Sequence, residues 1–528
     1  MAEYVPIDDI LNSEHSSRVV GTDKPRFGVD VTPQTLNFPI DSFIRDVTIH
    51  NTGWDKITLH RIVVIGPWRL TGDFDRIILP GGTLTISVHY APTTDKQDDR
   101  GGLFVDCGEA VGSKLCVLLG SSADENLPPV GPRTRFKCRR GFNTDQWVIW
   151  TPWTEWGKEE KLLPFPEWRQ HLKHQDLYQL REAGLDFVRM PVDPAVFLAS
   201  TTTLLRPKIY QSVVDSVKFL QSAGFRVIVD MHAIGGSNPN APQMEEYFNN
   251  PAVFDEYVGV VGELARLIKA EFHADDVALE IMNEPTAGGT NATWMAAWPK
   301  MQKRLYDVAR TNMPDHTIVL KAADDNAEYM MAQCDPTLYN DNNILWSFHS
   351  YIPFLISHQG ATWAGDVVGH VKNIPYPLWS VPPVELDARL EEIYADVRAT
   401  ANPDRVDGII WYIDHELHAI DTPAKMDLVV NKPFELMQAW GRKYGINPDN
   451  IMLGEFGIIR QEYGKPYIVD PDQRAAFYQD IITRAEFYGY PWALWSFGGS
   501  FGIIEEFEYR PSEPNTFEML KRLHPIKI

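Results

Sequence analysis

The spacing of apolar residues changes near residue 122 and divides the chain into two regions. Between residues 25 and 122, apolar and polar positions alternate, as in Leu84-Thr-Ile-Ser-Val-His-Tyr90. A period of two is typical of β-strands with one buried face. Turn-forming residues at Asn51-Thr-Gly53, Pro80-Gly-Gly82 and Gly101-Gly102 separate these segments. We therefore predict an antiparallel β-sandwich of about a hundred residues.

After residue 132, short apolar segments alternate with longer segments of helical spacing. The eight strand candidates are Lys137–Phe142, Asp186–Met190, Arg226–Met231, Val277–Met282, Thr317–Lys321, Ile344–Phe348, Ile451–Gly454 and Pro491–Trp495. The helix candidates between them include Trp168–Ala183, Ile209–Ala223, Phe254–Ala270, Met295–Thr311 and Asp472–Tyr488. This alternation predicts an α/β fold, a (β/α)8 TIM barrel with insertions, preceded by the smaller all-β domain.

The same changes in pattern set the expected domain limits. Residues 1–24 are polar and irregular, which favours a tail. Residues 25–122 form the predicted β-sandwich. Residues 123–132, rich in proline and polar side chains, form the predicted linker, and residues 133–528 form the predicted barrel.

Composition restricts the classes of partner. The chain has 49 Lys and Arg against 71 Asp and Glu, and a net charge of −22 argues against binding nucleic acid or anionic lipid. No segment reaches the roughly 18 apolar residues that cross a bilayer, so we expect no membrane insertion. The acidic start lacks the basic and apolar regions of a signal peptide. The sequence leaves the localisation open: the protein is cytoplasmic, or it is secreted or periplasmic if a signal peptide has been removed. The oligomeric state is also open.

The four cysteines do not indicate a disulfide framework. Cys107 and Cys116 flank a possible hairpin and could pair, whereas Cys138 and Cys334 read as lone thiols. Free, buried cysteine is the favoured interpretation for all four.

Two glutamates stand where chemistry is expected in a barrel. The segment Val277–Pro285 is a short apolar strand followed by Asn283 and Glu284, and the segment Ile451–Phe456 carries Glu455. The C-terminal ends of parallel barrel strands meet at one face, so these carboxyl groups are predicted to lie together. A pair of carboxyl groups is what hydrolysis of a glycosidic bond requires.

Further residues at strand ends give a more specific pattern. They are Arg189 in "FVRMP", His232 in "VIVDMH", Asn283 and Glu284 in "IMNEP", His349 and Tyr351 in "SFHSY", Glu455 in "LGEFG" and Trp495 in "ALWSF". Each residue has an ordinary structural explanation when taken alone. The occurrence of all eight in this order, each at the end of a predicted strand, favours catalysis. With these residues the barrel region resembles glycoside hydrolase family 5, the cellulase family of retaining (β/α)8 hydrolases. The preceding region resembles immunoglobulin-like accessory domains, a resemblance that implies no activity.

The family resemblance implies a role for each residue. Glu455 is the expected nucleophile, with Arg189 and Tyr351 donating hydrogen bonds to it. Glu284 is the expected acid and base, oriented by His349. The resemblance further implies that Asn283 holds the 2-hydroxyl of the reacting sugar, His232 touches sugar hydroxyls, and Trp495 forms the floor of the site. It implies neither a metal nor another cofactor.

The expected reaction is double displacement on a β-linked glucan or gluco-oligosaccharide, as in a β-glucanase or β-glucosidase. Trp147, Trp150, Trp153 and Trp156 follow the first barrel strand and form a candidate platform for further glucose units. A β-mannanase or a transglycosylase on the same site is an alternative. A barrel that has lost activity and only binds carbohydrate is another, although both glutamates and their partners are present.

Three other features remain. Asp414-His-Glu-Leu-His418 could suggest a metal but lacks the spacing of a zinc protease motif, and a solvated loop is favoured. Gly235-Gly-Ser lacks the lysine of a phosphate loop and is interpreted as a loop that lets substrate approach.

Between His349 and Glu455 the chain is much longer than one βα unit. Residues 353–383 and 408–423 are therefore expected to form loops that narrow the cleft, using the aromatic and imidazole side chains of Trp363, Tyr376, Trp379, Trp411, Tyr412, His415 and His418.

Overall fold

The computed structural model describes residues 28–523 except for short gaps at 34, 39–43, 72–75, 92–99, 108–112, 121–127, 146–152, 163–171, 234–241, 243, 287–291 and 508–509. Contacts within the chain define two compact units. One contains the N-terminal residues to Leu127 together with Asp414–Glu435, and the other contains Pro128–Ile413 and Leu436–Leu523. The predicted tail lies outside the described residues, as does the first half of the predicted linker. The predicted domain limits therefore remain predictions.

The N-terminal unit is rich in β-strands, as expected. Its strands are β1 (Val29–Thr32), β2 (Thr35–Phe38), β3 (Ile44–Asn51), β4 (Ile57–Thr58), β5 (Arg61–Ile65), β6 (Trp68–Thr71), β7 (Ile77–Ile78), β8 (Thr83–Tyr90), β9 (Arg100–Asp106) and β10 (Ser113–Gly120). One sheet has the order β1-β3-β8-β6 and another the order β2-β10-β9-β5, while β4 and β7 pair with each other. All described pairs are antiparallel except β2 with β10.

A single apolar core joins the two four-stranded sheets. In β8 the alternation predicted from the sequence places Ile86 and Val88 in the core, with 0% exposure. One detail differs from expectation, since Gly101 and Gly102 lie inside β9 and not in a turn. Trp68 is buried in the core and stacks on Tyr90 with ring centroids 4.9 Å apart.

The second unit contains a closed barrel of parallel strands, which confirms the predicted fold class. Its strands are β11 (Arg140–Asn143), β12 (Phe187–Val192), β13 (Arg226–Met231), β14 (Val277–Glu280), β15 (Ile318–Lys321), β16 (Ile344–His349), β17 (Ile451–Glu455) and β18 (Trp492–Leu494). They follow one another in chain order, and β18 closes the barrel on β11. Each lies within two or three residues of its predicted position, because nearly continuous apolar segments mark strands that are buried on both faces.

Helices connect these strands. The described α-helices are α1 (Glu159–Leu162), α2 (His174–Glu182), α3 (Ala195–Leu198), α4 (Arg206–Ser222), α5 (Met244–Asn249), α6 (Pro251–Glu271), α7 (Ala292–Asn312), α8 (Ala327–Gln333), α9 (Phe354–Ser357), α10 (Asp366–His370), α11 (Pro383–Thr400), α12 (Val406–His418), α13 (Pro423–Tyr444), α14 (Pro471–Tyr488) and α15 (Asn515–Lys521). Short 3-10 turns lie at Trp153–Glu155, Ser200–Thr202, Ala323–Asp325, Pro336–Leu338, Thr362–Ala364, Leu378–Ser380, Pro403–Arg405, Pro448–Asn450 and Gly499–Phe501.

Capping residues explain where the long helices begin and end. The side chain of Asp470 accepts hydrogen bonds from the first backbone N–H groups of α14, and Pro471 occupies its first turn. The helix ends at Gly489, whose φ of 77° is a conformation that glycine adopts without strain. Helix α6 begins in the same way, with Asn250 as its cap and Pro251 as its first residue.

Apolar side chains fill the barrel interior below the C-terminal ends of the strands. This core cluster consists of Phe136, Cys138, Phe187, Ile228, Ala278, Val319, Leu345, Met452 and Ala493. Gly141 is needed there, because a Cβ atom at this position would lie 2.6 Å from the ring of Phe187. Since the interior is filled, only the rim of the barrel is available for polar chemistry.

Several expectations outside the strands are corrected. Residues 406–418 form helix α12, so Asp414–His418 is part of a helix and not a loop. Most of residues 353–383 form short helices and turns. The side chain of Tyr376 is buried and donates a hydrogen bond to Asp480 Oδ2, so it belongs to the core and not to a cleft wall.

The predicted tryptophan platform is only partly described. Trp156 is buried, which rules it out as an exposed sugar platform. Trp147 and Trp150 lie outside the described residues, as do the side chain of Trp153 and the loop Gly235-Gly-Ser. All four cysteines are free and buried, as expected. No helix in the described part of the chain is both long and apolar enough to cross a membrane.

Candidate active site

Glu455 is the last residue of β17 and is held on both carboxylate oxygens. Its Oε1 accepts a hydrogen bond from Arg189 Nη1 at 2.6 Å, and its Oε2 accepts one from the Tyr351 hydroxyl at 2.9 Å. The carboxylate is nearly buried. Both neighbours were predicted for it, and their geometry fixes the direction in which the carboxylate faces.

The surroundings of Glu455 keep it ionised. Burial alone would raise the pKa of Glu455, but the positive charges of His349, Arg189 and His232, with the Tyr351 hydrogen bond, lower that pKa to about 2. Burial and the charge of Glu455 raise the pKa of Tyr351, so its hydroxyl stays a proton donor.

Glu284 follows β14 and lies in a different environment. Its side chain is 42% exposed, and its Oε1 lies 2.8 Å from His349 Nδ1. One carboxylate oxygen of Glu284 lies within 4.8 Å of one of Glu455. The backbone of Glu284 has a φ of 35°, a conformation that non-glycine residues rarely adopt and that is concentrated at functional sites.

His349 is aimed at both glutamates by an irregularity in the sheet. The pairing of β16 with β17 shifts register between Phe348 and His349, which places His349 opposite Glu455. Its Nδ1 contacts Glu284 and its Nε2 lies 2.9 Å from Asp325 Oδ2. Burial acts to lower the pKa of His349, but the charges of Asp325 and Glu455 outweigh this effect and raise it to about 10. The imidazole is therefore cationic at neutral pH.

Three further predicted residues complete one side of the site. The Asn283 side chain accepts a hydrogen bond from Arg189 Nη2 at 2.6 Å, and its amide nitrogen lies 3.3 Å from His232 Nε2. The rings of His232 and Trp495 are nearly parallel, with centroids 5.5 Å apart. All eight residues singled out in the sequence thus belong to one connected set of contacts.

A buried ionic network beneath the glutamates was not predicted. The guanidinium of Arg189 is fully buried, and its nitrogens lie 2.5 to 3.0 Å from the side chains of Asn143, Asp230, Glu280, Asn283 and Glu455. The ammonium of Lys321 contacts Glu280 and lies 2.6 Å from Asp325 Oδ2. Opposite charges compensate one another here, which a buried charge requires.

The sequence carries a signal for this network. Asp230, Glu280 and Lys321 each interrupt an otherwise apolar strand near its C-terminal end. Ionisable side chains are almost never fully buried unless they are paired. Strand register brings Asp230 beside Glu280, which makes the pairing with Arg189 possible.

Two groups of carboxylate and imidazole ligands occur among the described residues. One consists of Glu280, Asp325 and His349, and the other of Glu284, His349 and Glu455. In the first group the ammonium of Lys321 already contacts both carboxylates, in the place a bound cation would take. The second group is the candidate site itself.

Comparison with known proteins places the barrel among the cellulases. A family model described as cellulase, glycosyl hydrolase family 5, matches residues 144–500. This match covers both glutamates and the six residues around them.

Relatives and solved structures are similar at low identity. Cellodextrinase A of Ruminococcus flavefaciens is 23% identical over 198 residues, which cover 37% of this chain and 56% of the relative. Endoglucanase 3 of Fibrobacter succinogenes is 26% identical over 243 residues, which cover 44% and 34%. The chain thus spans less than two thirds of either relative. The crystal structure of the clostridial cellulose synthase subunit Z from Clostridioides difficile has a TM-score of 0.50 at 18% identity, covering 73% of this chain and 99% of that one, which shows a shared fold.

Proposed function

The chain belongs to the cellulase family, glycosyl hydrolase family 5, and from this premise we propose that it hydrolyses a β-linked glucan with retention of configuration. The observation that carries the proposal is the contrast between the two glutamates. Glu455 is buried among cationic groups, whereas Glu284 is 42% exposed and contacts only His349 among them. Two carboxyl groups with different environments can divide the roles of nucleophile and acid between them.

In the first step Glu455 attacks the anomeric carbon and forms a glycosyl-enzyme ester. Arg189 and Tyr351 hold its two oxygens and thereby aim one lone pair at the sugar. As the bond to the leaving oxygen breaks, Glu284 transfers its proton to that oxygen. The cationic His349 donates to Glu284 Oε1, which leaves Oε2 to carry the proton.

In the second step Glu284, now a carboxylate, takes a proton from water, and the water attacks the anomeric carbon. The bond from that carbon to Glu455 breaks and the nucleophile is restored. Inverting enzymes need space for water between their carboxyl groups, about 6.5 to 9.5 Å, whereas retaining enzymes need only about 5 to 5.5 Å. One oxygen of each carboxyl group lies within 4.8 Å of the other, which is compatible with the shorter separation of a retaining enzyme.

The surrounding side chains suit a pyranose ring. The side-chain oxygen of Asn283 accepts a hydrogen bond from Arg189, which fixes the orientation of the amide. In this orientation an N–H hydrogen of the amide can reach the 2-hydroxyl of the sugar. The ring of Trp495, which lies nearly parallel to that of His232, offers an apolar surface for the sugar.

A glucan is the favoured substrate. The related proteins named cellodextrinase and endoglucanase support this choice. Exposed aromatic rings next to Tyr351 also support a polymer. Phe354 is 42% exposed and Trp363 is 59% exposed, and both pack on the buried ring of His358, which contacts Tyr351.

Release of reducing sugar from β-glucans, mannan and xylan tests the proposal. We expect turnover on β-glucan, with Glu455→Gln as the inactive control that keeps the fold. Preference for mannan would move the substrate assignment to a β-mannan. Binding without turnover by the unaltered protein would indicate a carbohydrate-binding barrel and contradict the proposal.

A further inference from the structure

A second group of aromatic side chains lies on the segments that follow β17 and β18. It borders a cavity of about 460 Å³, which we name the Tyr463 pocket. Tyr463, Tyr467 and Phe507 line it, with Glu506 and Arg510 among its polar groups. Its volume falls within the range of small-molecule sites, about 300 to 1,000 Å³.

The base of the Tyr463 pocket is rigidly built. Glu506 is almost fully buried, and its Oε2 accepts hydrogen bonds from Arg460 at 2.6 Å, Gln461 at 3.0 Å and the Tyr467 hydroxyl at 2.9 Å. The Arg460 guanidinium also lies under the Tyr467 ring, 4.8 Å from its centroid. These contacts fix the orientation of the Tyr467 ring before any ligand arrives, which lowers the entropic cost of binding.

The aromatic rings of the pocket nevertheless face water. Tyr463 is 63% exposed and Tyr467 is 53% exposed. The Tyr463 ring packs edge-on against Phe507, with centroids 5.2 Å apart. Grouped exposed rings on a rigid base are typical of a binding surface, and tyrosine combines an apolar face with a hydroxyl at its edge.

The segment that carries Tyr463 is linked to the candidate active site through side-chain contacts. Thr362 donates a hydrogen bond to Glu462 Oε1 at 2.6 Å, which ties the segment carrying Trp363 to the segment carrying Tyr463. Trp363 in turn contacts His358, which packs on Tyr351 beside Glu455. Ring contacts and one hydrogen bond therefore connect the surroundings of the nucleophile to the segment that carries Tyr463.

We propose that the Tyr463 pocket binds a further glucosyl unit of the chain that is cleaved at Glu284 and Glu455. The inference rests on the proposed function and names a site for the distant part of its substrate. A sugar suits this lining, because the exposed tyrosine rings lie beside the polar side chains of Lys465 and Arg510, which can donate hydrogen bonds to hydroxyl groups. Stacking on Tyr463 needs only the apolar face of a pyranose ring.

Calorimetric binding to cello-oligosaccharides tests the proposal without turnover. In the Glu455→Gln protein, Kd is measured for chains of six and of two glucose units, with and without Tyr463→Ala. We expect Tyr463→Ala to weaken binding of the six-unit chain about 3- to 10-fold, the effect of one aromatic contact. Binding of the two-unit chain should not change. Tyr463→Phe keeps the ring and should restore the affinity.

Tyr178→Ala is the matched control, since Tyr178 is a 47% exposed tyrosine on helix α2. Equal affinity of the Tyr463→Ala and parent proteins for the six-unit chain would overturn the proposal, as would an equal loss for both chain lengths. Release of reducing sugar by the unaltered protein is scored separately. Length-dependent binding without any hydrolysis would support the assignment of the Tyr463 pocket and contradict the proposed function.

Discussion

At the scale of single residues, the two glutamates differ in their surroundings, since Glu455 is buried among cationic groups and Glu284 is partly exposed. The lowered pKa of Glu455 means that its ionised form stabilises the fold above pH 4.5 and that this contribution is lost as pH falls towards 2. The raised pKa of His349 makes the stability depend on pH in the opposite direction. Its contribution is full below pH 6.5 and is lost as pH rises through about 10. Between these limits Glu455 is an anion and His349 a cation.

Removal of the acid should be chemically reversible. We expect Glu284→Ala to lower kcat on a β-glucan by about 10²- to 10⁴-fold, the usual contribution of a general acid and base. Azide can enter the space of the missing carboxyl group and attack the glycosyl-enzyme without a base. Added azide should therefore restore turnover on an activated aryl glycoside and yield a glycosyl azide. Full activity of Glu284→Ala without azide would show that another group supplies the proton.

Loss of the His349 charge should change the pH profile. After burial, which raises the pKa of Glu455, the charge of His349 is the strongest influence and lowers it. His349→Asn should therefore raise the pKa of Glu455 and move the acidic limb of kcat/KM to higher pH. His358→Asn is the control, because burial lowers the pKa of His358 to about 3 and its ring is neutral in this range. An unmoved acidic limb in His349→Asn would contradict the assignment.

At the scale of elements, the ends of β14 and β15 are joined by buried charges. Lys321 is 1% exposed and compensates both Glu280 and Asp325. Removing one partner of a buried pair leaves an uncompensated charge, so we expect Lys321→Met to lower the free energy of unfolding by about 3 to 5 kcal/mol. Urea denaturation measures this loss.

Lys303→Met supplies the matched comparison, since Lys303 pairs with Asp307 at the surface of helix α7. A surface pair contributes no more than about 1 kcal/mol. Adding Glu280→Gln to Lys321→Met should recover part of the stability, because it removes the excess negative charge that the loss of Lys321 leaves in the network. If Lys321→Met were no more costly than Lys303→Met, the network would not stabilise the rim of the barrel.

Elements were predictable where periodicity alone defines them. Strands such as Arg226–Met231 are buried on both faces and appear as apolar segments, and helix α14 carries its own caps. Helix α12 was missed although Ile409, Ile413 and Leu417 are buried at intervals of four residues. The polar residues of Asp414–His418 lie among these apolar positions and obscure the spacing.

The candidate site was predictable only in part, for a physical reason. Residues that end strands reach the rim whatever the register, so Glu284 and Glu455 could be placed together from the sequence. The partners of Lys321 depend on which residues lie side by side in neighbouring strands. The register shift before His349 is a property of two strands and leaves no mark in either one. The buried network and the orientation of His349 therefore required coordinates.

At the scale of the whole molecule, the strongly acidic chain suits a neutral polymer. A formal charge of −22 disfavours anionic partners but has no effect on an uncharged glucan. The insertion between β16 and β17 contains helices α9 to α13. We retain the prediction that this insertion narrows one end of the cleft.

An enzyme whose cleft is narrowed at one end would act on chain ends or on short oligosaccharides. With a long soluble β-glucan we expect short products to appear early while the viscosity of the solution falls slowly. Parallel assays of reducing ends and viscosity measure this relation. A mixture of long oligosaccharides accompanied by a rapid loss of viscosity would instead show attack within the chain, and the narrowed cleft would be wrong.

The central claim is that Glu455 forms a covalent bond to the sugar while Glu284 handles the proton. Mass spectrometry after incubation with an activated 2-deoxy-2-fluoro β-cellobioside tests it most directly, because the fluorine slows the second step and lets the ester accumulate. The account predicts a mass increase of one glycosyl group on the intact protein, located in the peptide that contains Glu455 and absent from Glu455→Gln. An adduct on Glu284, or the absence of any adduct while the first product forms with inverted configuration, would contradict it.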